Sequence, residues 1–90
     1  MDDWGVQRQK LREAFRLVAE AHPDFVSDAY ELLEVNEDVL ALETMCDNLY
    51  ESGLGVPAKA YKLFAEVGAA RNVDGVNWEM LAPRVVPSKS

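Results

Sequence analysis

Residues 36–52 read NEDVLALETMCDNLYES, and this stretch decides the fold. Its apolar residues recur at steps of three and four, which is the spacing of one face of an α-helix. That face carries Val39, Leu42, Met45, Cys46 and Leu49. Asn36 is well suited to cap the start of this helix, because its side-chain oxygen can accept a hydrogen bond from a free backbone N–H. We therefore predict an amphipathic helix from about Glu37 to Ser52.

The same spacing predicts further helices on both sides of this segment. They cover residues 6–21, 23–35, 57–72 and 74–81, and Pro23 and Pro57 suit the first turns of two of them. A single bent helix across residues 23–52 is the alternative for the second and third helices. The expected fold is an all-α bundle of four to five helices. It forms one domain over residues 1–82, and Pro83 begins a mobile carboxy-terminal tail over residues 83–90.

The composition is that of one globular domain. The chain has 90 residues, of which 49 % are hydrophobic and 28 % are charged. Cys46 is the only cysteine and His22 the only histidine, so neither an internal disulfide nor a zinc site is expected. The sequence lacks the pattern of a secretion signal and any run near the roughly 18 apolar residues of a membrane span. We expect a cytoplasmic protein without a cofactor.

Charge is distributed unevenly along the chain, whose formal net charge is −7. No Lys or Arg lies between Leu17 and Ala58, and the carboxylates of that stretch align on the outer faces of the second and third helices. This argues against nucleic acid and anionic membranes as partners, because both are bound through clustered Lys and Arg. It favours a basic protein. The predicted partner-binding residues are Asp24, Asp28, Glu31, Glu34, Glu43, Asp47 and Glu51.

A charged helix face is in most proteins only a solvated surface, but the pattern here favours binding. Carboxylates four residues apart repel each other by about 0.3 kcal/mol per pair. No basic residue alternates with Glu43, Asp47 and Glu51 to relieve this repulsion. Tyr30 and Tyr50 flank the acidic faces and are candidate aromatic anchors, although tyrosine at the margin of a core is equally ordinary.

The sequence shows no catalytic constellation. His22 precedes a proline at a helix junction, which is typical of a solvated helix-end residue. Cys46 lies on an apolar helix face, with no cation nearby in sequence to stabilise its thiolate. Gly53-Leu54-Gly55 is too short for a phosphate-binding loop and indicates a turn. We therefore expect a protein that is not an enzyme and has no catalytic, cofactor-binding or metal-binding residues.

Residues 41–51 read ALETMCDNLYE, and they are followed by a Val56-Pro57 helix start and by WEML at residues 78–81. Together these segments, within residues 25–81, resemble the MafI family of immunity proteins, whose relatives protect bacteria from contact-dependent inhibition toxins. The resemblance implies a small helical inhibitor of a polymorphic toxin, often an RNase, including EndoU-like nucleases. The family signature falls on predicted core positions, namely Leu42, Met45, Cys46, Leu49, Trp78 and Leu81. It therefore identifies a scaffold and not a contact surface.

Two functions remain open from the sequence. The first is an immunity protein that binds the carboxy-terminal domain of a cognate toxin, expected to be a basic nuclease, and neutralises it by stoichiometric inhibition. The second is a helical adaptor or regulatory subunit that docks on a cytoplasmic protein through a groove between its helices. An enzyme is a third and less favoured hypothesis, because its activity would have to depend on His22 or Cys46.

Overall fold

The computed structural model describes residues 3–23 and 27–87, with side chains from residue 5 in the first segment and from residue 28 in the second. The helices are α1 (Asp3–Ala21), α2 (Ser27–Glu34), α3 (Asp38–Ser52), α4 (Ala58–Ala70) and α5 (Val76–Glu79). Two short strands, β1 (Val56–Pro57) and β2 (Val85–Val86), form the only sheet in these segments. The predicted all-α bundle is confirmed.

Two helix pairs build the core. α1 packs chiefly on α4 and α2 chiefly on α3, and smaller contacts of α1 with α2 and α3 join the pairs. Phe15 of α1 lies at the junction, with its ring centroid 6.4 Å from Phe64 in α4 and 5.5 Å from Tyr30 in α2. Burying such a side chain contributes about 1.5–3 kcal/mol. Every signature position is also buried, namely Leu42, Met45, Cys46, Leu49, Trp78 and Leu81. Their prediction as core residues is confirmed.

A short turn separates α2 from α3, so this region is a helical hairpin and not one bent helix. Asn36 adopts the left-handed conformation, with a φ of 65°. Its backbone N–H donates to the carbonyl oxygen of Leu33 at 3.1 Å. The N–H of Glu37 donates to the carbonyl oxygen of Leu32 at 2.9 Å, which completes the Schellman arrangement that ends a helix.

The prediction that Asn36 caps the start of α3 is therefore wrong. Asn36 ends α2 instead, because asparagine tolerates a positive φ better than most side chains, and Glu37 takes the N-cap position of α3. Asn72 ends α4 in the same way, with a φ of 59°. The predicted start of the second helix near Pro23 falls on residues 24–26, which lie outside the described residues.

The carboxy-terminal segment packs on the domain beyond the boundary predicted at residue 82. Ala82–Arg84 form a turn of 3-10 helix, in which Pro83 occupies an early position that needs no backbone N–H. Val85–Val86 then pair in parallel with Val56–Pro57, Val85 opposite Val56 and Val86 opposite Pro57. Leu81, which is fully buried, anchors the segment. Residues 88–90 of the predicted tail lie outside the described residues.

Helix α5 is shorter than the helix predicted over residues 74–81. The backbone N–H of Val76 donates to the Asp74 side chain at 3.1 Å, so the chain enters α5 through a turn that the Asp74 carboxylate stabilises. After Glu79 the chain continues in turns to Leu81. α5 therefore serves mainly to place the ring of Trp78 against the core.

Candidate functional site

The predicted partner-binding residues lie on the outer side of the α2–α3 hairpin. Their exposure follows the helical period, because the opposite sides of α2 and α3 are buried in the core. Asp28, Glu31 and Glu34 are exposed on α2, Asp47 and Glu51 are exposed on α3, and Glu43 is half-buried. Asp24 lies outside the described residues.

The ion pairs of the structure divide these carboxylates into two groups. Glu34 is paired with Arg12 of α1, whose Nη1 atom lies 3.5 Å from the Glu34 carboxylate. The others have no cationic partner within 4.0 Å in the part of the chain that the structure describes. We call this second group the hairpin carboxylates; they are Asp28, Glu31, Glu43, Asp47 and Glu51. Among the described residues, no cation within 4.0 Å therefore neutralises the negative potential of the hairpin carboxylates.

Helix α1 also supplies cations to acidic residues outside the predicted partner-binding set. Lys10 contacts Glu66 of α4 with an Nζ to Oε1 distance of 3.2 Å. Arg8 reaches Asp38 at the start of α3 with an Nε to Oδ1 distance of 3.5 Å. The Asp38 side chain is only 3 % exposed. Sequence reasoning missed these pairs because they join residues on different helices that lie far apart in the chain.

Two apolar side chains are exposed on α3 among the hairpin carboxylates. Leu40 and Tyr50 are each 46 % exposed. The guanidinium carbon of Arg84 lies 4.9 Å from the centroid of the Tyr50 ring, and Arg84 also donates a hydrogen bond to the Tyr50 carbonyl oxygen. Tyr50 is thus an exposed ring held by a cation–π contact. Leu40 was missed from the sequence, because it is an apolar residue that lies on the acidic side of α3 and outside its apolar face.

Tyr30, the other candidate anchor, faces the core. Its ring packs edge-on against Phe15, with the ring planes 86° apart. Burial raises the pKa of the Tyr30 hydroxyl above its ordinary value, although the charges of Arg12 and Arg16 oppose the shift. Of the two tyrosines, only Tyr50 is placed to meet a partner.

His22 connects the end of α1 to the loop before β1. Its Nε2 atom lies 2.9 Å from the carbonyl oxygen of Gly55, and the side chain is half-buried. His22 lies at the end of a helix, as predicted, but its side chain is half-buried and makes a contact instead of being fully solvated. The imidazole instead ties two segments together, because the turn at Gly53 brings Gly55 back to the end of α1.

Cys46 lies in the core, as the sequence predicted. Burial raises the pKa of its thiol from the ordinary value of 9.0 to about 12, and the charges of Asp47 and Glu43 add to the shift. An unfolded thiol loses its proton near pH 9, while the folded thiol keeps it, so the unfolded state binds fewer protons above that pH. The stabilisation is complete below about pH 9 and is lost as the pH rises towards 12.

We expect the free energy of unfolding to fall between about pH 9 and pH 11 more steeply for the wild type than for Cys46→Ala. Urea unfolding at several pH values measures both slopes. The variant will be less stable at the lower pH because it loses buried sulfur, so the slope and not the absolute stability is compared. Parallel slopes would contradict the assignment.

An open pocket of about 330 Å³ lies between α1 and α4. Leu17 and Leu63 supply apolar surface. The charged lining residues are Glu13, Lys59, Lys62 and Glu66. Both carboxylates are already engaged, Glu13 with Arg16 at 2.6 Å and Glu66 with Lys10 at 3.2 Å. The pocket is therefore a shallow groove whose acidic groups already have partners.

Within residues 3–23 and 27–87, no group of three or more His, Cys, Asp or Glu side chains is arranged to hold a metal ion. None of the helices described is long and apolar enough to cross a membrane. Comparisons of the chain with protein-family models, with curated proteins and with solved structures give no match.

Proposed function

We propose that this protein is an immunity protein that binds the carboxy-terminal domain of a cognate bacterial toxin and neutralises it by stoichiometric inhibition. The toxin domain is expected to be a basic nuclease, with an EndoU-like RNase as one form. The observation that carries the proposal is the set of hairpin carboxylates, which have no cationic partner among the described residues. A basic protein surface would supply the missing cations.

Electrostatics gives this surface a specific advantage in inhibition. Uncompensated charge of one sign steers an oppositely charged protein and raises its association rate. A nuclease must carry cationic groups to hold the phosphates of its substrate, so an acidic protein surface can compete for those groups. Rapid association matters for an inhibitor, because the toxin damages its target until it is bound.

The proposal of a binding protein is also supported by the state of the reactive side chains. The Cys46 thiol is buried with a pKa raised to about 12, so it holds its proton at neutral pH. The His22 ring contacts a backbone carbonyl oxygen between two segments of the fold. Both side chains serve packing, which favours inhibition by contact over inhibition by chemistry.

The proposed identity of the partner combines the charge of the hairpin with the family resemblance. Charge supports a basic protein, and the resemblance of residues 41–51 and 78–81 to the MafI family supports a toxin. Because the signature residues are buried, variation of the exposed residues could change the toxin that is bound without changing the scaffold.

A helical adaptor or regulatory subunit is the second candidate. The groove between α1 and α4 is the feature that favours it, since an apolar segment of a cytoplasmic protein could lie against Leu17 and Leu63. Glu13 and Glu66 are already paired at this groove, so it offers less uncompensated charge than the hairpin. We therefore rank the adaptor below the immunity protein.

The proposal is tested by co-expressing the chain with the product of the neighbouring toxin gene. Protection from the toxin and a one-to-one complex are the expected results. Absence of both would contradict the proposal. An adaptor would instead bind a metabolic or regulatory protein encoded in its own operon.

Charge reversal provides a quantitative test of the acidic surface. We expect the variant Asp28→Lys/Glu31→Lys/Asp47→Lys/Glu51→Lys to associate with the toxin domain roughly tenfold more slowly at low salt. The difference should narrow in about 500 mM salt, because exposed charges are then screened over a few ångströms. Stopped-flow fluorescence measures the association rate.

The control reverses exposed carboxylates away from the hairpin. Glu20→Lys/Glu79→Lys is compared with Asp47→Lys/Glu51→Lys, which changes the net charge equally; both control residues are exposed, on α1 and α5. A smaller effect is expected for the control pair. Equal effects would show that net charge alone determines the rate and would remove the hairpin from the interface.

A further inference from the structure

The exposed face of α3 combines the two kinds of contact that a protein interface needs. We define the α3 face as Leu40, Glu43, Asp47, Tyr50 and Glu51. At 3.6 residues per turn these positions fall within about 100° of one another around the helix, and they extend over about 16 Å along its axis. The face therefore forms one continuous strip in which three carboxylates share the surface with two apolar side chains.

Single exposed apolar residues are ordinary on protein surfaces, but their placement here is not scattered. Leu40 and Tyr50 are 46 % exposed and lie towards opposite ends of the strip. The carboxylates between them have no ion pair with any described residue. A partner that covers this strip would bury apolar surface at two places and pair cations between them.

Tyr50 is held in position before any partner arrives. Arg84 stacks on its ring at 4.9 Å and donates to its backbone carbonyl oxygen. A side chain that is already ordered loses less conformational entropy on binding, and tyrosine is among the residues that most often dominate interface energetics. The packing of residues 82–86 on the domain is what places Arg84 there.

The exposed side of α2 lacks this combination. Its Glu34 is neutralised by Arg12, and Asp28 and Glu31 have no exposed large apolar residue between them on that helix. Val35 is 64 % exposed but lies in the turn after α2. The α2 carboxylates can steer a partner, but the anchoring contacts lie on α3.

We propose that the α3 face is the centre of the partner interface, and that it takes a basic protein surface presenting Lys or Arg side chains around an apolar pocket. This inference rests on the proposed function and adds which face is used and what it takes. The charge of the strip decides the occupant. A second copy of this chain would bring the same carboxylates together, and each molecule has a net charge of −7.

The test separates anchoring from steering by measuring dissociation. The probe is the carboxy-terminal domain of the neighbouring toxin, and the full chain is used throughout. We expect Leu40→Ala/Tyr50→Ala to dissociate roughly thirtyfold faster, with little change in association rate, because hot-spot residues act mainly on dissociation. Asp28→Lys/Glu31→Lys should show the reverse, a slower association with nearly unchanged dissociation.

Matched variants separate binding from folding. Val6→Ala truncates an apolar residue on α1 that is 50 % exposed, and it should leave dissociation within about twofold of the wild type. Tyr50→Phe keeps the ring under Arg84 and should retain most of the affinity. Thermal unfolding of each free variant shows whether the scaffold is intact. If Leu40→Ala/Tyr50→Ala is destabilised, the single variant Tyr50→Lys is measured instead. Its added positive charge should repel a basic partner and weaken binding.

The possible outcomes distinguish failure of the proposed function from failure of the interface assignment. If the wild type forms no complex with the toxin domain, the proposed function fails, and the interface assignment fails with it. If the wild type binds but the α3 variants dissociate at the wild-type rate, the proposed function stands and the α3 face is overturned. A free protein that dimerises, and that Tyr50→Ala returns to a monomer in sedimentation experiments, would assign the face to a second copy and also overturn the proposal.

Discussion

Gly68→Ala is expected to destabilise the protein by about 3 kcal/mol, because overpacking of a close core contact has costs of this size. A β-carbon on Gly68 would lie 2.8 Å from Cε3 of Trp78 and closer still to Cζ3 and Cη2. Trp78 is only 8 % exposed, so its ring has little room to move. Alanine forms helices better than glycine by about 1 kcal/mol, so Gly68→Ala would stabilise α4 if there were no close contact with Trp78. A destabilising effect therefore indicates that contact. Urea unfolding measures it.

Measuring Gly68→Ala in a variant of Trp78 tests whether the contact between these residues causes the destabilisation. In Trp78→Leu, the smaller side chain leaves space for the new methyl group, so adding Gly68→Ala should be neutral or stabilising. Trp78→Leu alone is itself destabilising because it leaves a cavity. The quantity compared is therefore the change in unfolding free energy that Gly68→Ala causes in the wild type and in Trp78→Leu. Equal destabilisation by Gly68→Ala in both would contradict the role given to Trp78.

The contact of Gly68 with Trp78 shows how far the sequence could predict the core. The sequence predicted Trp78 as a core residue, and both Trp78 and Gly68 are buried. The spacing could not indicate that these residues meet, because periodicity identifies a face without identifying what packs against it. The turn at Asn72 ends α4 and leads to α5, which packs on α4.

The candidate site was predicted in part for a similar reason. Alignment of carboxylates along a helix is a local property, so the exposed positions of Asp28, Glu31, Asp47 and Glu51 follow from the sequence. Pairing between helices is not local. The neutralisation of Glu34 depends on α1 crossing near the end of α2, which no spacing rule reveals.

The pairing of residues 85–86 could not be predicted from the sequence for a different reason. A strand of two residues is too short to have a period, and Pro83 alone is typical of a chain that leaves its domain. The segment is held instead by pairing with β1 and by Arg84 at Tyr50. The same contacts that escaped prediction orient the proposed aromatic anchor.

Arg8→Met is expected to lower the free energy of unfolding by about 3 kcal/mol, because it removes the partner of a buried carboxylate. The Asp38 side chain is 3 % exposed, and Arg8 Nε lies 3.5 Å from its Oδ1 atom. Neither Asp38 oxygen accepts a hydrogen bond from the residues that the structure describes. Without Arg8, the carboxylate would stay desolvated beside the first turn of α3 with no compensating charge.

The control for Arg8→Met is the pair on the other side of α1. Lys10→Met removes a cation from a pair whose side chains are 36 % and 37 % exposed, and such exposed pairs contribute at most about 1 kcal/mol. Arg8→Met/Asp38→Leu should recover much of the stability, because two apolar groups can replace a buried ion pair. Equal losses for Arg8→Met and Lys10→Met would contradict the argument. Since Asp38 begins α3, Arg8→Met should also loosen the hairpin and weaken binding of the proposed toxin partner, whereas Lys10→Met should leave that binding unchanged.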